Sequence, residues 1–460
     1  MPLRRRLWQA GILLFAFLAT LVIGNRFIPS DRAIAVDMLG RDFLPFYTAG
    51  TFAREGNFKA LYDLDAVKQY EQAVAKVNGM DLGKSFGPWW NPPFYAWAFA
   101  PLSKLPFPQA LATWWTINFL CLLGSIVLLI DMLPKAWKPI NRGAHSNWTE
   151  TARDWRNTGL VILFTLISMP ALQAMSHGQN TCTSLLLVCL TINFWRKQRA
   201  VVAGLICGLL FYKPQLAGVL AMVLVLSMGW RAMVGVAFTG CMLLAATEYS
   251  MPGIIEHYVQ QLPANVHFMQ VENTYLWERH VTLKALFRLM LQGREAGEIS
   301  ILVRSLTFAA SLLFAGSLLR AIIVQRRRLD DPWTGETTAI ARDRLIAATI
   351  CISPLLMPFY FDYDLLLPSV PAVLLASDIL ARGEVRTTSE KWLVRTWGLM
   401  FVWLYFNPGT AGQINVNITT ILLALVSTQM VIRAARKPVS LTVDNLRTAH
   451  QTRPPVRVAA

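Results

Sequence analysis

The sequence predicts an all-α polytopic membrane protein, a bundle of about twelve transmembrane helices with an amphipathic first outer segment and a re-entrant hairpin. Three observations carry this. The 460 residues are 54% hydrophobic and only 15% charged, with mean hydropathy +0.41, whereas a soluble chain carries roughly a quarter charged residues. The apolar residues fall in blocks of about 16–25, long enough or nearly so to cross a hydrocarbon core as helices. Short charged pieces separate the blocks, and their Lys and Arg collect in alternate loops. A soluble enzyme, a disulfide scaffold and a disordered chain are excluded. The 43 Lys and Arg against 27 Asp and Glu, net +16, therefore report membrane orientation and not nucleic-acid binding. The cysteines (121, 182, 189, 207, 241, 351) lie inside apolar blocks without CxxC spacing, as small buried hydrophobes do.

Arg4-Arg5-Arg6 precedes an apolar stretch over 7–25. It is too long for a signal-peptide core and no A-x-A site follows, so it reads as an uncleaved first span with a cytoplasmic N-terminus. Further spans are expected at 110–131, 158–176, 180–195, 199–212, 214–229, 232–248, 299–324, 340–358, 363–381, 392–407 and 415–434. With the N-terminus inside, the cytoplasmic loops receive Lys135, Lys138, Arg142, Arg153 and Arg156, then Arg196, Lys197, Arg199 and Arg231. They also receive Arg326–Arg328, Arg342, Arg344, Arg382, Arg386, Lys391, Arg395 and the tail from Arg433, as solvated charges. The outer side keeps two long segments, 26–91 and 249–297, the first with eight basic and eight acidic residues. Asn91–Leu105 is apolar over about 14 residues, too short to span, and is expected to re-enter or lie on the outer surface. Residues 1–436 read as one integral-membrane domain and 437–460 as a disordered cytoplasmic tail.

The first outer segment has its own structure. Asp42 is placed to cap a helix with Pro45 in its first turn and aromatics at Phe43, Phe46, Tyr47 and Phe52; Gly56-Asn57 ends it. Asp63 caps a second helix, with Leu64, Val67, Tyr70, Val74 and Val77 on one face and Lys68, Glu71, Gln72 and Lys76 on the other, suited to a membrane surface. The run Phe86–Trp97 reads as an aromatic belt at the water–lipid boundary.

Polar residues at membrane depth or at its rim are costly and mark function. On the outer side they gather at Ser176–Asn180, Lys213-Pro214-Gln215, Trp277–His280 and Tyr360–Asp364, besides Asp42. Each also fits a plainer role. Asp42 fits an N-cap, His177 a helix-end cap, Lys213 a side chain snorkelling to the interface, and Arg279 and His280 solvated loop residues. Asp37 is a neighbour able to assist Asp42, and His257 and His267 read as ordinary loop histidines.

The chain resembles glycosyltransferase family 87, a polyprenol-phosphate-sugar-dependent branch of the GT-C membrane fold. The matching pieces are Asp42-Phe-Leu-Pro-Phe-Tyr47, Leu61-Tyr62-Asp63, Asn91-Pro92-Pro93-Phe94 with Pro101-Leu102 and Leu105-Pro106, and Gly178-Gln179-Asn180. Ala203-Gly204-Leu205, Gly208-Leu209, Lys213-Pro214-Gln215 and Tyr363-Asp364-Leu365 complete them. The resemblance implies a membrane enzyme that transfers a hexose, usually mannose, with inversion from a lipid monophosphate to a lipid or glycan acceptor. It implies a first-loop acid, here Asp42, as general base, which is worth about 10²–10⁴ in rate. The leaving phosphate needs preorganised cations or donors, for which Lys213, His177, Arg279 and His280 are candidates. Gln179, Asn180, Gln215, Tyr47, Asp362 and Asp364 are candidates to bind sugar or acceptor. No cofactor is expected. Asp42 follows Arg41 and not a second acid, so no metal is expected and the protein O-mannosyltransferase branch is disfavoured. The expected setting is the inner (plasma) membrane, both termini cytoplasmic and the site periplasmic. A flippase of lipid-linked sugars would instead show inverted repeats and mid-membrane polar groups, and a surface-polysaccharide ligase or polymerase a longer outer loop rich in Arg and His.

Overall fold

The computed structural model describes residues 39–83, 85–133, 147–329, 335–382, 387–407 and 409–436. The 7–25 span, Arg4–Arg6, Asp37 and the 437–460 tail lie outside them. Among the described residues every regular element is a helix, with one isolated antiparallel bridge between His280 and Phe361. Two short helices come first, α1 (Leu44–Arg54) and α2 (Leu64–Val77), then α3 (Phe107–Asp131), α4 (Asn147–Leu166), α5 (Met169–His177), α6 (Thr181–Arg196), α7 (Ala200–Leu209) and α8 (Pro214–Met228). They are followed by α9 (Trp230–Ser250), α10 (Ile254–His267), α11 (Leu283–Gln292), α12 (Ile301–Leu329), α13 (Gly335–Leu356), α14 (Ser369–Arg382), α15 (Thr388–Trp403), α16 (Gly409–Ile414) and α17 (Ile418–Ala435).

Among the described residues, five helical stretches are long and apolar enough to cross a membrane: Phe107–Asp131, Trp230–Ser250, Ile301–Arg327, Asp362–Leu380 and Ile418–Ala435. Arg156–Leu166 and Met169–His177, bent by 49° at their junction, would form a sixth as one broken span. The spans expected at 180–195, 199–212 and 214–229 are apolar helices, but shorter than a full crossing. Polar turns at Gly178–Asn180 and at Lys213 cut them short, and those turns carry the site described below.

Small residues let backbones approach in the bundle. A Cβ on Gly204 of α7 would lie 2.2 Å from the Ala232 carbonyl oxygen of α9, and one on Gly235 2.2 Å from that of Val201. The Thr239 hydroxyl donates across the same seam to the Leu205 carbonyl at 2.9 Å.

The helix ends remote from this site are basic but not simply solvated, which corrects the expectation for those loops. Arg196 pairs with Asp343 at 3.2 Å, Arg344 with Asp378 at 3.0 Å and Arg433 with Glu390 at 2.8 Å, while Arg433 also reaches Asp378. These carboxylates lie on α13, α14 and α15, so the arginines fasten neighbouring helix ends together.

The first segment keeps its expected helices with three corrections. Asp63 does cap α2, accepting from the Asp65 and Ala66 amides at 3.0 and 3.1 Å. Asp42 caps nothing: a 3₁₀ turn spans Arg41–Phe43, and α1 begins at Leu44 without a side-chain cap. Glu71, assigned to the polar face of α2, is buried, while Val77 is exposed. The aromatic run turns inward instead of forming a belt: Trp89 and Tyr95 are buried, and Phe99 stacks on Phe46 with centroids 4.8 Å apart. Pro92 and Pro93 hold 93–105 in two 3₁₀ turns, Pro93–Ala98 and Leu102–Lys104, which pack on α1 and bury its rings. Only Trp97 of this run stays exposed among its large rings.

Candidate active site

Asp42 is positioned by backbone contacts. The Gly40 amide donates to the Ser176 carbonyl at 2.8 Å, docking the Arg41–Phe43 turn on the end of α5. That helix stops at Gly178 in a left-handed conformation (φ 74°), which a side chain would disfavour. Trp114 of α3 donates to the Gly178 carbonyl at 2.8 Å, and a Cβ at 178 would meet that of Phe43 at 3.0 Å. His177 and Gln179, on either side of this glycine, are thereby brought to one carboxylate.

Both grip the same oxygen. The Gln179 amide donates to Asp42 Oδ2 at 2.8 Å and His177 Nδ1 lies 3.2 Å from it. Oδ1 makes no hydrogen bond among the described residues, and 31% of the side chain is accessible, so the carboxylate is anchored on one side and open on the other. Burial of the surrounding turn pushes the acid up, but the His177 ring and its hydrogen bond, the Arg279 guanidinium and the Gln179 amide outweigh this. The net position is about 2. Asp42 is ionised at neutral pH.

Two ion pairs complete the site, both on the 3₁₀ turn Asp362–Leu366. Arg279 forks onto Asp362, Nη2 to Oδ1 at 3.0 Å and Nε to Oδ2 at 3.3 Å. Lys213 Nζ donates to Asp364 Oδ1 at 3.0 Å, and the Thr181 hydroxyl reaches the same oxygen at 3.0 Å. The Tyr363 ring lies between the cations, 5.7 Å from Arg279 and 5.4 Å from Lys213. Lys213 is thus buried and paired instead of snorkelling, and Arg279 is paired instead of solvated. The Val281 amide donates to the Tyr360 carbonyl at 2.9 Å, holding the Arg279 segment against this turn.

The remaining candidates take other places. Asn180 donates to the Tyr95 hydroxyl at 3.1 Å, and Tyr95 stacks on Tyr212 at 4.3 Å. Tyr47 donates to the Leu105 carbonyl at 2.9 Å within the aromatic cluster, and Gln215 is half-buried in the first turn of α8. His280 is buried in an aromatic box, stacked on Tyr275 at 5.0 Å and 3.9 Å from the Phe361 centroid. Burial, then the Arg279 and Lys284 charges, pull its ring down to about 3, so it is neutral. His257 lies on α10 beside the Lys59 carbonyl, and His267 ends that helix near Glu272 and Glu298. Among the described residues no three His, Cys, Asp or Glu side chains converge as a metal site would need. Two residues, Gln173 and Thr181, are not among the sequence candidates, and Tyr363 entered only within the Tyr360–Asp364 run and the Tyr363-Asp364-Leu365 match. Gln173 was the most accessible, since it stands four residues before His177 and so on the same helix face.

An apolar helical bundle with two buried ion pairs, the Arg279 cation of one acting on an open carboxylate, defines a membrane protein with an enzyme-like polar site. The model of glycosyltransferase family 87 matches residues 89–358, more than half of the chain, and the chain belongs to that family. It is a membrane glycosyltransferase. The match includes His177, Gln179, Lys213 and Arg279, while Asp42, Asp362 and Asp364 fall outside it. No curated protein and no solved structure matched the chain.

Proposed function

We propose that the protein is an inverting hexosyltransferase that moves a hexose, with mannose the expected sugar, from a polyprenyl phosphate to a lipid or glycan acceptor. Asp42 is the general base, in a single catalytic domain over 1–436 whose site faces the periplasm. The observation that carries this reading is the one-sided anchoring of Asp42 through Oδ2 by His177 and Gln179. A carboxylate so fixed presents Oδ1 at a constant angle to an acceptor hydroxyl. As the acceptor oxygen bonds to the anomeric carbon, its proton passes to Oδ1. The carbon–oxygen bond to phosphate breaks on the opposite face, releasing the polyprenyl phosphate. One displacement inverts the centre, with no glycosyl-enzyme intermediate. The low position of Asp42 makes it a weak base before substrate enters; an acceptor that covers its exposed oxygen removes water and raises its basicity.

The test is transfer by purified protein given polyprenyl-phosphate sugars and total lipid or glycan extract, comparing the native chain with Asp42→Asn. Loss of about 10²–10⁴ in rate is expected. Unchanged transfer by Asp42→Asn removes it as the base, and donor movement across liposomes without any transfer would favour a flippase.

A further inference from the structure

Asp362 is a candidate from sequence to bind sugar or acceptor, but its carboxylate has no room for either. It is 2% exposed, and four donors occupy its two oxygens: Arg279 Nη2 and the Tyr363 amide on Oδ1, Arg279 Nε and Gln173 Nε2 on Oδ2. Four is the number of lone-pair sites a carboxylate offers. What Asp362 does is orient Arg279. The fork takes Nε and Nη2, and Nη1 makes no hydrogen bond among the described residues. The rings of Phe361 and Tyr363, with centroids 5.9 and 5.7 Å from the guanidinium carbon, lie along its face and restrict its rotation. Gln173, which braces Asp362, belongs to α5, the helix that ends in His177. The holder of the cation and the holder of the base are therefore one turn apart on one helix.

We infer that Asp362 is a positioning residue that fixes Arg279 side-on, so that its Nη1 edge meets the phosphate of the donor close to Asp42. This rests on the donor class proposed above. The phosphate carries one negative charge as a diester and two once the sugar has left, so a fixed cationic edge gains most as the bond breaks.

The experiment measures steady-state transfer by the native chain, Arg279→Gln, Asp362→Asn and the double variant, with binding of polyprenyl phosphate read by tryptophan fluorescence. Each single substitution is expected to lower kcat by about 10²-fold with a smaller change in donor KM. The double variant should be no slower than Arg279→Gln, because Asp362 acts through Arg279. A double variant slowed by the product of the two single effects overturns the proposal. Each single change leaves a buried charge unpaired, so Asp362→Glu is the variant that keeps both charges and displaces the fork. It should lose kcat while still unfolding cooperatively, and full activity in it overturns the proposal. If the native chain uses no polyprenyl-phosphate sugar, the donor reading fails on its own. The binding arm then decides the inference: Arg279→Gln and Asp362→Glu must each weaken polyprenyl phosphate at least about tenfold, and unchanged binding overturns it.

Discussion

Replacing Glu71 by Gln probes the support beneath Asp42. Glu71 lies on α2 at 1% exposure; Oε2 accepts the Gly87 amide at 2.8 Å, and Oε1 is buried with no hydrogen-bond partner among the described residues. Gly87 in turn abuts Pro45, where a Cβ would fall 2.3 Å from the proline ring. Pro45 is in the first turn of α1, three residues from Asp42, so this carboxyl ties α2 and the 85–88 segment to the turn that bears the base. Burial pushes Glu71 up to about 8; the Gly87 hydrogen bond and the Arg41 charge pull it only part of the way back, and the Asp42 charge opposes them. The unfolded chain releases this proton near 4.5 and the native state only near 8. Between those values the native state binds more protons, so the stability fully present below 4.5 is lost progressively as pH rises to 8. The slope is at most about 1.4 kcal/mol per pH unit, or about 4 kcal/mol from pH 5 to 8. Gln cannot ionise and keeps the acceptor for Gly87. Glu71→Gln should therefore match the native chain near pH 5 and exceed it by about 2–4 kcal/mol at pH 8. Denaturant or thermal unfolding in detergent, repeated across this range, measures the two slopes. Parallel slopes for the two proteins would refute the reasoning.

Lys213→Met should destabilise the protein by about 3–5 kcal/mol, because Asp364 is left buried and unpaired. The double variant Lys213→Met/Asp364→Asn should recover most of that loss in thermal unfolding. Gly204→Ala should cost about 1–3 kcal/mol, since its Cβ meets backbone and not a side chain that can turn away. Gly218→Ala, with nothing within 4 Å, is the control. In pH–rate profiles the native chain should show no acid limb from Asp42 above about pH 4. His177→Gln removes the strongest influence lowering that carboxyl while burial persists, so its acid limb should move to higher pH; an unmoved limb means that His177 does not set the charge state of Asp42.

The long apolar helices were legible from apolar block length, although the spans expected at 180–195, 199–212 and 214–229 are shorter than a crossing, and the candidate residues were legible from polar side chains where an apolar bundle should have none. Asp42, His177, Gln179, Lys213, Arg279, Asp362 and Asp364 were all singled out that way. Their pairing was not legible, because it joins residues 137 apart for Asp42 with Gln179 and 151 apart for Lys213 with Asp364. No local period encodes such contacts. The errors have local causes. Helical period put Glu71 on a solvent face, but the 85–89 segment covers that face of α2. An aromatic-rich run suggests an interface, but the paired prolines fold this one into turns against α1, where Trp89 and Tyr95 are buried.

The two ion pairs also hold separate segments of the site together. Buried pairs gain little net stability, since desolvation offsets most of the attraction. What these two contribute is register: Asp362 and Asp364 stand on one short turn and fix two otherwise unrelated segments, 277–280 and the start of α8, to it. Because Arg279 and Lys213 are each matched by a carboxylate, the two pairs add no net charge around Asp42. On the proposed reaction, affinity for the donor then comes from its apolar chain and from hydrogen bonds. The remaining free edge of Arg279 acts on the charge that appears only as the phosphate departs, which is where electrostatic stabilisation raises rate and not merely binding.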